Sequence, residues 1–99
     1  MFVTLSTYRA RPGEEDAMIA LHEDWQRHQQ PHVRGYLSGE LLRSVEATGE
    51  FIAIMRFESQ ESAEVLANAP EQVAWYQRLV SLTQETPTYT EYTSEWQTS

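Results

Sequence analysis

Three histidines, two tryptophans and one arginine set among apolar residues are the side chains of this 99-residue chain with most chemistry to offer. His22, His28 and His32 cluster in one short segment. A neutral imidazole can take the proton of a substrate hydroxyl as a general base. His28 and His32 flank Pro31 and are the two expected to do this. The competing assignment is solvated histidines at a helix C-terminus, where positive charge suits the helix dipole. A metal site is not expected. His22 and His28 are six positions apart, and Pro31 breaks the helix between His28 and His32, so no i, i+4 histidine pair lies on one helix.

Trp25 and Trp75 can wall an aromatic pocket and offer an indole N–H to a bound carbonyl. The alternative is core packing, because each sits in a helical stretch that must bury one face. Arg56 lies mid-strand among apolar residues. A buried guanidinium is costly unless paired, so it is expected to hold a substrate oxyanion. A cross-strand ion pair with Glu40 or Glu91 is the other reading. Tyr36, Tyr76 and Thr7 would add hydroxyls to the same cavity. The catalytic expectation is therefore His28, His32 and Arg56.

Composition removes several chemistries. Cysteine is absent, and with it disulfides, thiolate nucleophiles and cysteine metal sites. All seven basic residues are arginine, so no lysine can form a Schiff base. A net charge of −8 opposes polyanions, which sets nucleic acid and anionic membrane aside as partners. No apolar run approaches the ~18 residues of a membrane span. Met1 to Leu5 enter a strand-like pattern with no basic then apolar leader, so no signal peptide and a cytoplasmic location are expected. Gly35-Tyr36-Leu37-Ser38-Gly39 leads into strand residues and is not a nucleophile elbow, and no Gly-rich phosphate loop is present.

The elements that must position these residues follow from periodicity and punctuation. Phe2 to Arg9 is β-branched and aromatic and reads as strand 1. Pro12-Gly13 breaks it, and acidic residues at 14–16 open a helix predicted over 13–30. Met18, Leu21, Trp25 and His28 share one face of that helix. Residues 35–45 form strand 2 with a bulge expected at Gly39. A short loop ends at Gly49, where a left-handed conformation suits a hairpin. Strand 3 is 50–57. Ser59 starts a second helical stretch bearing Ala63, Leu66 and Ala67, and Pro70 restarts it as a first-turn residue. Val73, Tyr76, Leu79 and Val80 carry the apolar face to about Leu82. Residues 88–96 read as strand 4.

This β-α-β-β-α-β order is the ferredoxin-like pattern, an α+β fold with a four-stranded antiparallel sheet, and residues 1–99 make one domain of it. Right-handed crossovers put the helices on one face of the sheet. Both faces are apolar, however. Strand 3 sends Ile52 and Ile54 one way and Phe51, Ala53, Met55 and Phe57 the other; strand 1 sends Val3 and Leu5 one way and Phe2 and Tyr8 the other. Such an open face exceeds what monomers usually expose, so a homodimer packed face to face is expected; the alternative is a monomer with an amphipathic outer face softened by Thr4, Ser6 and Ser38.

Arg11-Pro12-Gly13 entering helix 1, Gly35 to Ser44 as strand 2, Phe57-Glu58-Ser59 leaving strand 3 and Ala67-Asn68-Ala69-Pro70 resemble the antibiotic biosynthesis monooxygenase (ABM) family over about residues 2–95. The resemblance implies a dimeric α/β-barrel with a pocket in each subunit between helices and sheet. Some members of that family oxidise aromatic polyketides with O2 and no cofactor; others bind and degrade haem. The haem branch uses an Asn on strand 1, a Trp early in helix 2 and a His ligand later in it. The matching places here hold Thr7, Leu66 and Trp75, so haem degradation is not implied. No histidine follows His32.

The function expected is a cofactor-independent monooxygenase acting on a small aromatic, quinol- or anthrone-like. Thr7, Trp25, Tyr36, Leu66, Trp75 and Tyr76 are expected to line its pocket. The alternatives are a non-catalytic dimeric module binding a small apolar ligand, and haem binding without degradation.

Overall fold

Burial alternates along β1 (Phe2–Arg9), where Thr4 and Tyr8 are buried and Arg9 is exposed. The even-numbered face therefore meets the helices, and Val3, Leu5 and Thr7 point the other way. The chain continues through α1 (Glu15–His28), a 3-10 turn (Gln30–His32), β2 (Tyr36–Arg43), β3 (Glu50–Phe57), α2 (Gln60–Ala67), α3 (Pro70–Ser81) and β4 (Thr90–Thr93). This computed structural model describes residues 1–98. The four strands form one antiparallel sheet in the order β2-β3-β1-β4. That is the expected α+β, ferredoxin-like fold.

The helices bury the stripes that periodicity marks out. Met18, Leu21 and Trp25 are the buried residues of α1, Ala63 and Leu66 those of α2, and Trp75 and Leu79 those of α3. They close over Tyr8, Phe51 and Phe57 of the sheet to make the core. Ser59 caps α2 by accepting the Ser62 N–H at 3.2 Å, and Pro70 opens α3 where no N–H is needed.

The bounds of three elements and the place of the bulge differ from expectation. Helix 1 is shorter than 13–30, because Gly13 turns through φ +84° and Pro31 allows only a 3-10 turn beyond Gln29. Strand 2 covers 36–43 rather than 35–45. The register shift lies between Tyr36 and Ser38, not at Gly39. Gly39 is small for another reason: a Cβ there would collide with the Tyr36 hydroxyl. Strand 4 is only 90–93. At its start, Thr88 uses its side-chain oxygen to accept the Thr7 N–H at 3.0 Å, which interrupts the ladder. At its end, the last ladder pair is Phe2 with Thr93, and one further bond runs from the Ser94 N–H to the Met1 carbonyl at 3.0 Å.

Gly35 lies at φ +77°, and its carbonyl accepts the Glu58 N–H at 2.8 Å. A Cβ on it would collide with Ser62 Oγ and stand 2.7 Å from Ser62 Cβ. Gly35→Ala combines a left-handed backbone with this collision and is expected to cost about 2 kcal/mol. Urea denaturation checks it as a lowered midpoint with unchanged slope.

The helices cover one face only. On the other, Leu42 is 40 %, Ile52 37 % and Tyr92 50 % exposed, beside Val3, Leu5 and Ile54. Among the described residues, no helix is long and apolar enough to cross a membrane.

Candidate active site

A hollow between helices and sheet follows from the size of the residues on the inner face. Across the sheet, Ser6, Ala53 and Leu41 form one row, and Thr4, Met55 and Gly39 the next. The rows outside them are bulky: Tyr8, Phe51 and Arg43 at one end, Phe2, Phe57 and Tyr36 at the other. The bulky end rows prop the helices off the central ones, where Ser6, Ala53, Thr4 and Gly39 are small and only Leu41 and Met55 are large. The result is a partly open cavity of about 930 Å³, within the usual size range for small-molecule sites. Trp25, Gln72, Trp75, Tyr76 and Leu79 roof it.

One end of the cavity carries a hydrogen-bonded pair. Tyr8 Oη lies 2.6 Å from His22 Nε2, and His22 Nδ1 lies 2.8 Å from the Met18 carbonyl. The carbonyl can only accept, so Nδ1 carries the hydrogen. Nε2 is then the free lone pair of a neutral imidazole, and the Tyr8 hydroxyl donates to it. Burial pushes the His22 pKa below its ordinary value, partly offset by the bond to Met18. Burial likewise raises the Tyr8 phenol well above its ordinary range. The pair rests as neutral tyrosine and neutral histidine, ready to accept a proton through the tyrosine. Trp75 packs edge-on to the His22 ring at 5.1 Å and fixes its orientation.

The tryptophans wall the cavity, but both indole N–H groups are taken. Trp25 Nε1 donates to Gln72 Oε1 at 2.7 Å, and Trp75 Nε1 donates to the Leu21 carbonyl at 3.0 Å. Neither is left for a ligand carbonyl, which corrects that expectation. Both bonds tie α1 to α3. Tyr36 packs edge-on to Trp25 at 5.2 Å, and its hydroxyl has no partner among the described residues. Burial raises its pKa, while the charge of Arg56 lowers it.

The sequence-predicted residues fall into three places. Trp25, Tyr36, Trp75 and Tyr76 come together around the cavity. Thr7 and Arg56 lie on the opposite face of the sheet. Thr7 hydrogen-bonds Thr88 there, and Arg56 lies 3.4 Å from Ser38 Oγ and 4.0 Å from Glu40. Glu91 pairs with Thr4 in register and so faces the other side from Arg56. His28, His32 and Leu66 border a separate hollow of about 350 Å³. His28 is bonded to Asp24 at 2.9 Å, and Asp24 also meets Arg78 at 3.5 Å, a surface network between α1 and α3. The structure thus puts His28, His32, Arg56, Thr7 and Leu66 outside the main cavity. Their phase on helix or strand, not their chemistry, excludes them.

Sequence reasoning names His22 without pairing it, and passes over Tyr8, Gln72, Thr4 and Ser6 as site residues. Two signals point to them. Thr4, Ser6 and Tyr8 are hydroxyl residues at alternate positions, hence on one strand face. His22 lies one turn from Met18 and one step from Leu21, on the stripe that meets the sheet. Among the described residues, no group of three His, Asp or Glu is placed to hold a metal ion.

Comparison with known proteins agrees with this architecture. The structure superposes on Rv0793 from Mycobacterium tuberculosis with a TM-score of 0.84 at 17% identity, covering 99% of this chain and 98% of that one. It superposes on a variant of SnoaB, a cofactor-independent oxygenase from Streptomyces nogalater, with a TM-score of 0.79 at 14% identity, covering 97% and 94%. A conserved protein from Methanosarcina mazei Go1 gives 0.83 at 8% identity, covering 92% and 89%. At such identities the likeness is one of fold. Comparison with curated proteins finds no match. A family model described as Antibiotic biosynthesis monooxygenase matches residues 1–78, most of the chain and every element from β1 through most of α3. By that match and the shared fold, this chain belongs to the antibiotic biosynthesis monooxygenase family.

Proposed function

We propose that this protein is a cofactor-independent monooxygenase that oxidises a small quinol- or anthrone-like aromatic with O2 inside the cavity. The observation that carries the reading is the neutral Tyr8–His22 pair opening onto an aromatic-walled space of about 930 Å³. The enolic or phenolic hydroxyl of the substrate gives its proton to Tyr8 Oη as the Tyr8 proton passes to His22 Nε2. The Tyr8 O–H and the Thr4 and Ser6 hydroxyls then face the substrate anion in a water-poor site, where such donors act strongly. The anion transfers one electron to O2, and the two radicals combine at carbon as a peroxide. The O–O bond breaks as the carbon loses its remaining hydrogen. A CH2 centre and O2 become C=O and H2O, with the proton on His22 returned to the departing oxygen. Trp25, Tyr36, Trp75 and Tyr76 hold the ring system.

The experiment is product formation from anthrone or a quinol with and without O2. Oxidised product only in the aerobic sample, with one O2 consumed per product, is the expected result. Equal product in both overturns the reading. The bound indole N–H groups favour a second reading, a module that binds a small apolar ligand without turnover. It predicts saturable binding and no oxygen consumption.

The proposal includes the assembly: residues 1–99 as one ABM-like domain, and two copies packed through the face bearing Leu42, Ile52 and Tyr92 as a dimeric barrel. That face would otherwise leave a larger apolar patch in water than monomers usually carry. Light scattering at micromolar concentration is expected to give twice the chain mass of 11.5 kDa. Ile52→Asp is expected to shift it to the single chain, because it buries two carboxylates across the two-fold axis.

A further inference from the structure

We infer that the cavity is built for an aromatic carboxylic acid, with Arg43 binding the carboxylate; this rests on the proposed reading of the same cavity as a site for planar aromatics. Tyr8, Phe51 and Arg43 form one row across β1, β3 and β2 on the inner face of the sheet. Two strand spacings separate the ends of that row, about 10 Å. Tyr8 stacks on Phe51 with ring centroids 6.4 Å apart, and the Arg43 guanidinium lies 5.3 Å from the Phe51 centroid. The row thus has a proton acceptor at one end, a cation at the other, and between them the buried Phe51 ring that holds both in place. Arg43 lines the cavity from the edge strand.

The cation is available. Arg9, Arg56 and Arg78 each have a carboxylate partner, and Arg11 donates to the Thr83 carbonyl. Arg43 has no carboxylate or hydrogen-bond partner among the described residues. A chain of net charge −8 repels an anionic ligand at long range, so a local cation is needed to retain one. Held over Phe51, the planar guanidinium keeps its fork of donors directed along its edge, the geometry that takes a carboxylate by two bonds. A planar ligand of two or three fused rings spans the row. Its hydroxyl reaches Tyr8 and its acid reaches Arg43, which sets which ring carbon faces the open cavity.

The test uses probes that undergo no oxidation, so that binding is read apart from turnover. Calorimetric titration with anthraquinone-2-carboxylate and anthraquinone-2-carboxamide is expected to show the carboxylate bound about tenfold tighter. Arg43→Gln is expected to abolish that preference and leave the carboxamide affinity within about twofold. Arg34→Gln, outside the cavity, is expected to keep the preference. Should Arg43→Gln lose both probes, Arg43→Lys decides: a retained preference supports the inference and its loss overturns it. Equal affinity of the two probes, a preference surviving Arg43→Gln, or no binding of either probe overturns it too. A carboxylate preference without oxygen uptake keeps this inference and removes the monooxygenase reading. Equal oxygen uptake with neutral and carboxylated anthrones does the reverse.

Discussion

Replacing His22 by glutamine is expected to lower kcat for an anthrone-type substrate about 100- to 1,000-fold while KM changes little. The introduced amide can still accept a hydrogen bond from the Tyr8 hydroxyl, so cavity shape and substrate contacts persist. It cannot take up a proton, and loss of a positioned base costs on this order. Oxygen-electrode kinetics with substrate above KM give the measurement. A drop of less than fivefold would remove His22 from the mechanism. The same residue sets a pH dependence. His22 acts only when neutral, and burial holds its folded pKa below the ordinary value of about 6.5. The wild-type rate is therefore expected to stay level as pH falls through 6.5, and to decline only at lower pH. Stability moves in the same direction. Below about pH 6.5 the unfolded chain binds a proton that the folded site resists, so this residue's contribution favours unfolding progressively as pH falls. In His22→Gln both effects should vanish.

Trp75→Ala is expected to cost about 3–5 kcal/mol of stability, the range for deleting a buried indole. The side chain is 7 % exposed and packs edge-on to His22, and its N–H holds the Leu21 carbonyl of α1 from α3. Removing it opens a void beside a cavity that is already large and unties the two roof helices. Thermal unfolding followed by circular dichroism is the check, and a fall in Tm above about 10 °C is anticipated for a domain of this size. Trp75→Phe separates the causes. It keeps most of the packing and loses only the hydrogen bond, for an expected loss of about 1–2 kcal/mol. If Trp75→Ala unfolds with the wild type, the residue is a replaceable cavity wall rather than part of the core.

Some of this protein is legible in its sequence because the signals are local. Ser59 and Pro70 mark the starts of α2 and α3 by their own hydrogen-bonding limits. Strand 3 begins and ends where read because hairpin glycine and capping serine bracket it. Strand 4 is shorter than its composition suggests, since Thr88 meets Thr7 through its side-chain oxygen and the ladder with β1 begins only at Thr90. The bulge escapes the sequence for a similar reason: Gly39 makes room for Tyr36, a contact between side chains that strand composition does not encode.

The site divides along the same line. Residue types alone established the absence of cysteine and lysine chemistry, and periodicity alone established the order of elements and the inward stripe bearing Trp25 and Trp75. Alternation also sorted Phe51 from Ile52 on β3. It could not say which of two apolar faces the helices would cover, and that choice sent Arg56 and Thr7 to the far side. Tyr8 and His22 are 14 residues apart and meet only when α1 lies across β1. Which side chains share a cavity is a property of packed layers, because a hydrogen bond of 2.6 Å is decided by the docking of two elements and not by the pattern within either.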